Sequence, residues 1–436
     1  MKTNFVKLRW LFTMLLFVTT MIMPTMMLAK SIDLKIPEGD GAGTPYKIGT
    51  AEELYWFAGL VNGTLPGVKK DLSANAILTD DIIVNTGVLD PNKDLVSGND
   101  FIEWIPSGKS SSDDDAYTGT FDGNGHTISG LYFNKSNSWY VGLFGCIGAE
   151  GKISNVGVSD SYFQSSNCPY IGGVCGSNSG ELQNCSNSST VIGKENEYRI
   201  GGVCGDNSGT VKDCKNTGSV RGKETIGGVC GYNERRYNEK GGIIENSFNE
   251  GTVSGTGDYD VLNIGGVCGY NYGGTIKSCY NTASVSGQSS VGGVSGSLGS
   301  DVTNCYYLSG TVADGKSGIG GQKDENGKAV EMSKDRFKSG EVAWLLNGSK
   351  SVSTEESTLA WYQKLGENAD AYPVLKSTDH NTVYKAPLFS CDGTTRIGEY
   401  ANKPEGDKLS HNYQMAEKAD EGTSNLYSEE CAICHN

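Results

Sequence analysis

Apolar residues recur along the middle of this chain in short runs separated by glycine and by polar turns. "IGGVCG" begins at Ile171, Ile200, Ile226 and Ile264, with looser copies "VGLFGC" at Val141 and "VGGVSG" at Val291. The intervals are 30, 29, 26, 38 and 27 residues. After each copy come a turn and a second short motif: "ISNV", "LQNC", "VKDC", "IENS", "IKSC", "VTNC". A third strand-like piece ends near Val191, Val220, Val253, Val285 and Val312. Runs this short, with β-branched residues bounded by turn formers, predict strands and not helices. Three strands per period of about 27 residues predict one coil of a parallel β-solenoid. Six such coils, about 4.8 Å apart, predict a rod about 29 Å long before its ends are covered.

Comparing the coils assigns the cysteines. One column reads Gly145, Cys175, Cys204, Cys230, Cys268, Ser295, and a second reads Val156, Cys185, Cys214, Ser247, Cys279, Cys305. The two columns do not lose cysteine together, as disulfide partners would. The replacements are small, and a reduced cysteine behaves as a small apolar residue. In-register side chains also run parallel instead of converging on a bridge, so buried, reduced thiols are expected. Two polar columns stack in the same way: Asn155, Asn184, Asp213, Asn246, Ser278, Asn304, and Asn187, Asn216, Asn249, Asn281. Asparagine tolerates left-handed backbone, and stacked amides hydrogen-bond along a ladder.

Upstream, "YTGTFDGNGHTISGLYF" at residues 117–133 sets a D-G-N-G turn between strands. This run and the "VGLFG…GKISNVGV" units resemble the GLUG-motif repeat family of exported bacterial adhesin-like proteins, whose repeats also occur beside IgA-peptidase-type modules. "IGTAEELYWFAGLVNG" and "NAILTDDIIVN" look like that family's lead-in segment. The resemblance spans roughly residues 45–375. It implies a right-handed parallel β-helix at the cell surface and no chemistry by itself.

The flanks divide the chain further. "MKTNFVKLRW" carries Lys2, Lys7 and Arg9 ahead of an apolar run ending at a small-residue site, Met27 to Ala29, so residues 1–29 are expected to be a signal peptide. No cysteine follows that run before Cys146, which leaves no lipid-anchor site there. No other stretch approaches the ~20 apolar residues of a membrane span. Residues 30–115 are expected to cap and lead into the solenoid, with a helix over 50–62 begun by Thr50 and stopped at Asn62-Gly63. Residues 116–315 carry the repeats, 316–385 a linker and C-terminal cap, and 386–436 a tail. A net charge of −15 argues against nucleic acid and anionic membrane as partners, and 61 glycines suit many short strands joined by tight turns.

Candidate chemistry is sparse. Cys391, His411, Cys431 and Cys434 are weak metal candidates, lacking a second close pair, and "CAICH" matches the haem-attachment spacing. Neither is expected to be used, and no cofactor is expected. The four histidines nowhere form H-E-x-x-H, the metalloprotease pattern. Paired carboxylates for a polysaccharide lyase or glycoside hydrolase are limited to Asp80 and Asp81, the aspartates at 113–115, and Asp122 beside His126; none recurs through the coils. A non-catalytic, adhesin-like binding role is therefore expected, with a purely structural spacer as a further alternative. The partner is expected to be a host or bacterial surface glycan or protein. The 38-residue coil swells with "YNERRYNEKGG" and "GTGDYDVLN", and insertions on one face of a solenoid often mark the binding face. Tyr232, Arg235, Arg236, Tyr237, Lys240 and Tyr259 are the expected contacts, since aromatic and arginine side chains concentrate binding energy.

Overall fold

A computed structural model describes residues 32–98, 100–110, 115–167, 169–194, 199–235, 240–256, 263–298, 301–321, 327–349, 359–366, 368–375, 381–389, 396–403, 406–408, 413–416 and 428–431. The chain winds into a parallel β-helix of about eight turns. Its first face runs from Tyr46–Ile48 and Ala76–Leu78 through Lys152–Ser154 to Asp301–Thr303, nine strands in all. The second face, also nine strands, runs from Ile82–Ile83 to Ala329–Met332. A third face of six begins at Tyr132–Ser136 and ends at Val285–Ser286. The fourth face takes two strands from each "IGGVCG" coil, such as Tyr170–Gly172 and Cys175–Asn178, because the motif bends at its glycines, and one continuous strand, Val291–Leu298, from the coil after them. The six-coil estimate therefore falls short. Early strands without the motif, and Ser317–Ile319 and Ala329–Met332 within the expected linker, extend the stack at both ends. The nine strands of the first and of the second face correspond to about 38 Å.

Inward positions form continuous columns. On the first face Ile153, Leu182, Val211, Ile244, Ile276 and Val302 are in register and buried. The first thiol column is Cys175, Cys204, Cys230, Cys268 and then Ser295. Phe144, not Gly145, precedes Cys175 in register. The "VGLFGC" copy is thus offset by one residue, and an aromatic ring ends the thiol stack. The nine cysteines from Cys146 to Cys305 whose side chains are described are all buried and unbridged. Burial pushes the thiols of Cys204, Cys214, Cys268 and Cys279 above their ordinary range, which makes them inert.

Two amide ladders run inside the helix. Asn187, Asn216, Asn249 and Asn281 are linked amide to amide at 2.8 Å. A second ladder, Asn178, Asn207, Asn233 and Asn271, has the same spacing. The first ladder dictates a glycine in each coil: a Cβ on Gly202 would lie 2.4 Å from Asn216 Oδ1, so "IGG" admits no larger residue there. The other asparagine column is the corner between the first and second faces. Asn155, Asn184, Asp213, Asn246, Ser278 and Asn304 all have φ between 49° and 54°, the left-handed backbone that asparagine tolerates.

Helix α1 (Ala51–Asn62) covers the N-terminal end. The Thr50 hydroxyl accepts from Glu53 N–H, Glu53 accepts in return from Gly49 N–H at 2.9 Å, and Gly63 at φ 64° stops the helix. The Thr50 cap and the Gly63 stop are the ones the sequence predicts, and the return bond from Glu53 completes a reciprocal cap. Leu54, Phe57, Leu60 and Val61 join the core of the coils. At the other end, α2 (Lys334–Lys338), α3 (Glu341–Leu346) and the antiparallel pair Trp361–Tyr362 and Val374–Leu375 pack largely against the side of the second face. There Phe248 and Tyr280 stack 4.9 Å apart under Trp361.

Candidate binding surface

The fourth face carries the densest outward chemistry. The residue before each "IG" pair forms one column, Tyr140, Tyr170, Arg199, and the second residue after each cysteine forms another, Ser177, Asp206, Tyr232, Tyr270. Parallel pairing brings these columns side by side. Tyr140 and Tyr170 stack at 4.8 Å with their planes 3° apart. The Arg199 guanidinium lies 5.2 Å from the Tyr170 ring and 4.0 Å from the Tyr232 ring, within cation–π range. Its Nη1 meets Asp206 at 2.6 Å and Glu234 at 3.3 Å. Tyr232 also touches Tyr270 and Tyr272, at 5.3 and 6.3 Å between ring centres.

The Asp206 side chain is only 3% exposed. Burial pushes its carboxyl up to about 7, against the pull of Arg199, and Glu234 adds to the rise. Burial likewise moves the Tyr232 phenol to about 12. The cluster is closely paired at its centre, with Tyr272 (54% exposed) in the coil that follows the long one and Trp139 (65% exposed) beside Tyr140.

Of the contacts expected from the long coil, Tyr232 lies within this cluster. Arg235 pairs with Gly241 across the neck of the insertion, and Lys240 is exposed. Arg236, Tyr237 and Tyr259 lie outside the described residues. Sequence reasoning missed Tyr140, Tyr170, Arg199, Asp206, Tyr270 and Tyr272. The signal was present, since Tyr140, Tyr170 and Arg199 hold the same place before the repeat motif.

The other candidates are more scattered. Asp81 accepts from Thr127 N–H and sits 3.4 Å from His126 Nδ1, while Asp122 accepts from the Asn155 amide. Asp115 pairs with Lys70, and residues 113 and 114 lie outside the described residues. Cys391, His411 and Cys434 also lie outside them, and the Cys431 backbone pairs with Tyr413 in a short hairpin. Among the described residues no group of three His, Cys, Asp or Glu side chains converges on a metal position. Nor is any described helix long and apolar enough to cross a membrane.

This fold and its periodic columns define a parallel β-helix repeat protein. Its coil at residues 260–286 matches the GLUG motif. An 84-residue segment is 37% identical to halomucin of Haloquadratum walsbyi, covering 19% of this chain and 1% of that one. A 78-residue segment is 32% identical to a candidate Gly-rich membrane protein of Evansella cellulosilytica, covering 18% of this chain and 9% of that one. The chain thus spans a small fraction of the relatives it matches. Among solved structures, a candidate immunoglobulin A1 protease from Bacteroides ovatus superposes with a TM-score of 0.50 at 21% identity, over 79% of this chain and 95% of that one. That likeness establishes a shared fold.

Proposed function

We propose that this chain is an exported, cell-surface-associated or secreted repeat protein with an adhesin-like, non-catalytic binding role. The observation that carries the reading is the cluster in which Tyr170 and Tyr232 sandwich Arg199 while Asp206 and Glu234 fix it. Pre-ordered tyrosine and arginine side chains give contact area at little entropic cost on binding. The GLUG motif and the names of the relatives, a halomucin and a membrane protein, support a place at the cell surface. The apolar run after Lys2, Lys7 and Arg9 supports export. An array of surface glycans and extracellular matrix proteins, probed with the full chain, tests the role. Retention on one class, without release of reducing or unsaturated sugar, is the expected result. Sugar release would instead assign a polysaccharide lyase or hydrolase.

A further inference from the structure

A second surface lies on the far side of the rod, where the second face meets the C-terminal cap. Its outward column reads Thr127, Gly157, Ser186, Lys215, Phe248, Tyr280, Tyr306. The aromatic half of that column lies under the cap. The small half leaves a cavity of about 480 Å³, walled at one end by Phe248, Val374 and Leu375. A further 210 Å³ continues it along Val158, Ser188 and Thr217. This volume and a seam between structural units are usual for small-ligand sites.

The corner column supplies the polar side of the cavity, and there its amide ladder breaks. Asn155 donates to Asp122, and Asn184 donates to Asn155, each at 2.9 Å. The next rung is Asp213, a carboxylate with no N–H to pass on. Asn184 Oδ1 and the Asp213 carboxylate are therefore adjacent acceptors that receive no side-chain donor among the described residues. Lys215 stands two residues along, exposed, with the Glu250 carboxylate as its electrostatic neighbour.

We propose that this trough is a binding site for an uncharged saccharide. Neighbouring sugar hydroxyls supply the two donors that the broken ladder lacks, and Lys215 donates to a ring or hydroxyl oxygen. The C–H face of the sugar lies on the apolar wall of Val374 and Leu375. A polyanion is disfavoured by Asp213, and a metal or polyamine by the Lys215 ammonium. The site is separate from the tyrosine–arginine cluster and does not depend on its role.

Calorimetric titration of the full chain with neutral oligosaccharides of glucose, mannose and N-acetylglucosamine tests the assignment. At least one should bind. Asp213→Asn restores the missing donor at a backbone angle asparagine favours, so it should weaken binding at least tenfold without lowering Tm. Lys215→Phe, which extends the Phe248 stack into the trough, should also weaken it tenfold. Absence of binding by every probe, unchanged affinity in both variants, or tighter binding of spermidine or a hexuronate oligomer would each overturn the proposal.

Discussion

Replacing Asn216 by alanine tests the interior of the rod most sharply. Asn216 is fully buried; it accepts from Asn187 at 2.8 Å and donates to Asn249 at 2.8 Å and to the Gly218 carbonyl at 3.1 Å. Its Oδ1 also takes the Gly218 N–H at 3.2 Å. Alanine leaves the Asn187 amide, the Asn249 oxygen and the Gly218 backbone groups without these partners inside the helix. Each orphaned buried group costs about 1–3 kcal/mol, and water entering the vacated space offsets part of it. The expected loss is about 3–5 kcal/mol. Asn184→Ala is the control, because Asn184 is exposed at the corner. It should lose only about 1–2 kcal/mol, the cost of left-handed backbone without asparagine. Urea unfolding followed by far-UV circular dichroism measures both, through midpoint and slope. A loss below about 1.5 kcal/mol for Asn216→Ala, or equal losses for the two variants, would refute the buried-ladder account.

Two further outcomes follow from buried titratable groups. Asp206 has a folded pKa of about 7, against ~3.9 in an unfolded chain. The native state then binds more protons between these values, so this group's contribution is fully present below about pH 4 and lost as pH rises through about 7. Asp206→Asn should flatten that fall, which is at most roughly 4 kcal/mol, in unfolding measured from pH 4 to 8; an unaltered slope contradicts the assignment. The nine buried cysteines should resist thiol reagent in the folded chain and titrate as free thiols in denaturant without reductant. Recovery of only a few would mean that the columns are bridged. Cys204→Ser should cost about 1 kcal/mol, as a small polar group replaces a buried apolar one.

The period, the parallel stack and the N-terminal cap were legible because each rests on local chemistry repeated in register. Thr50 and Gly63 needed nothing beyond neighbouring residues. The ends of the stack were not legible, since Tyr46–Ile48 and Ala329–Met332 contact a coil on one side only and need not carry its motif. Phe144 was misplaced because "VGLFGC" has one residue fewer than "IGGVCG" between its first position and the thiol column. The second amide ladder was hidden in "CGSN", "CGDN" and "CGYN", where asparagine passes for a turn residue. The tyrosine–arginine cluster needs both strand register and the adjacency of two strands within a coil. Arg199 and Asp206 are only seven residues apart, yet only the bend at Gly201 and Gly202 turns them toward each other.

Binding of the full chain to its array partner, compared with a Trp139→Ala, Tyr272→Ala double variant, tests the central claim most directly. Both side chains are largely exposed, so stability should change by no more than about 0.5 kcal/mol per site. The account predicts at least a tenfold rise in Kd with Tm nearly unchanged. An unchanged Kd would contradict it and place the adhesive surface elsewhere on the rod.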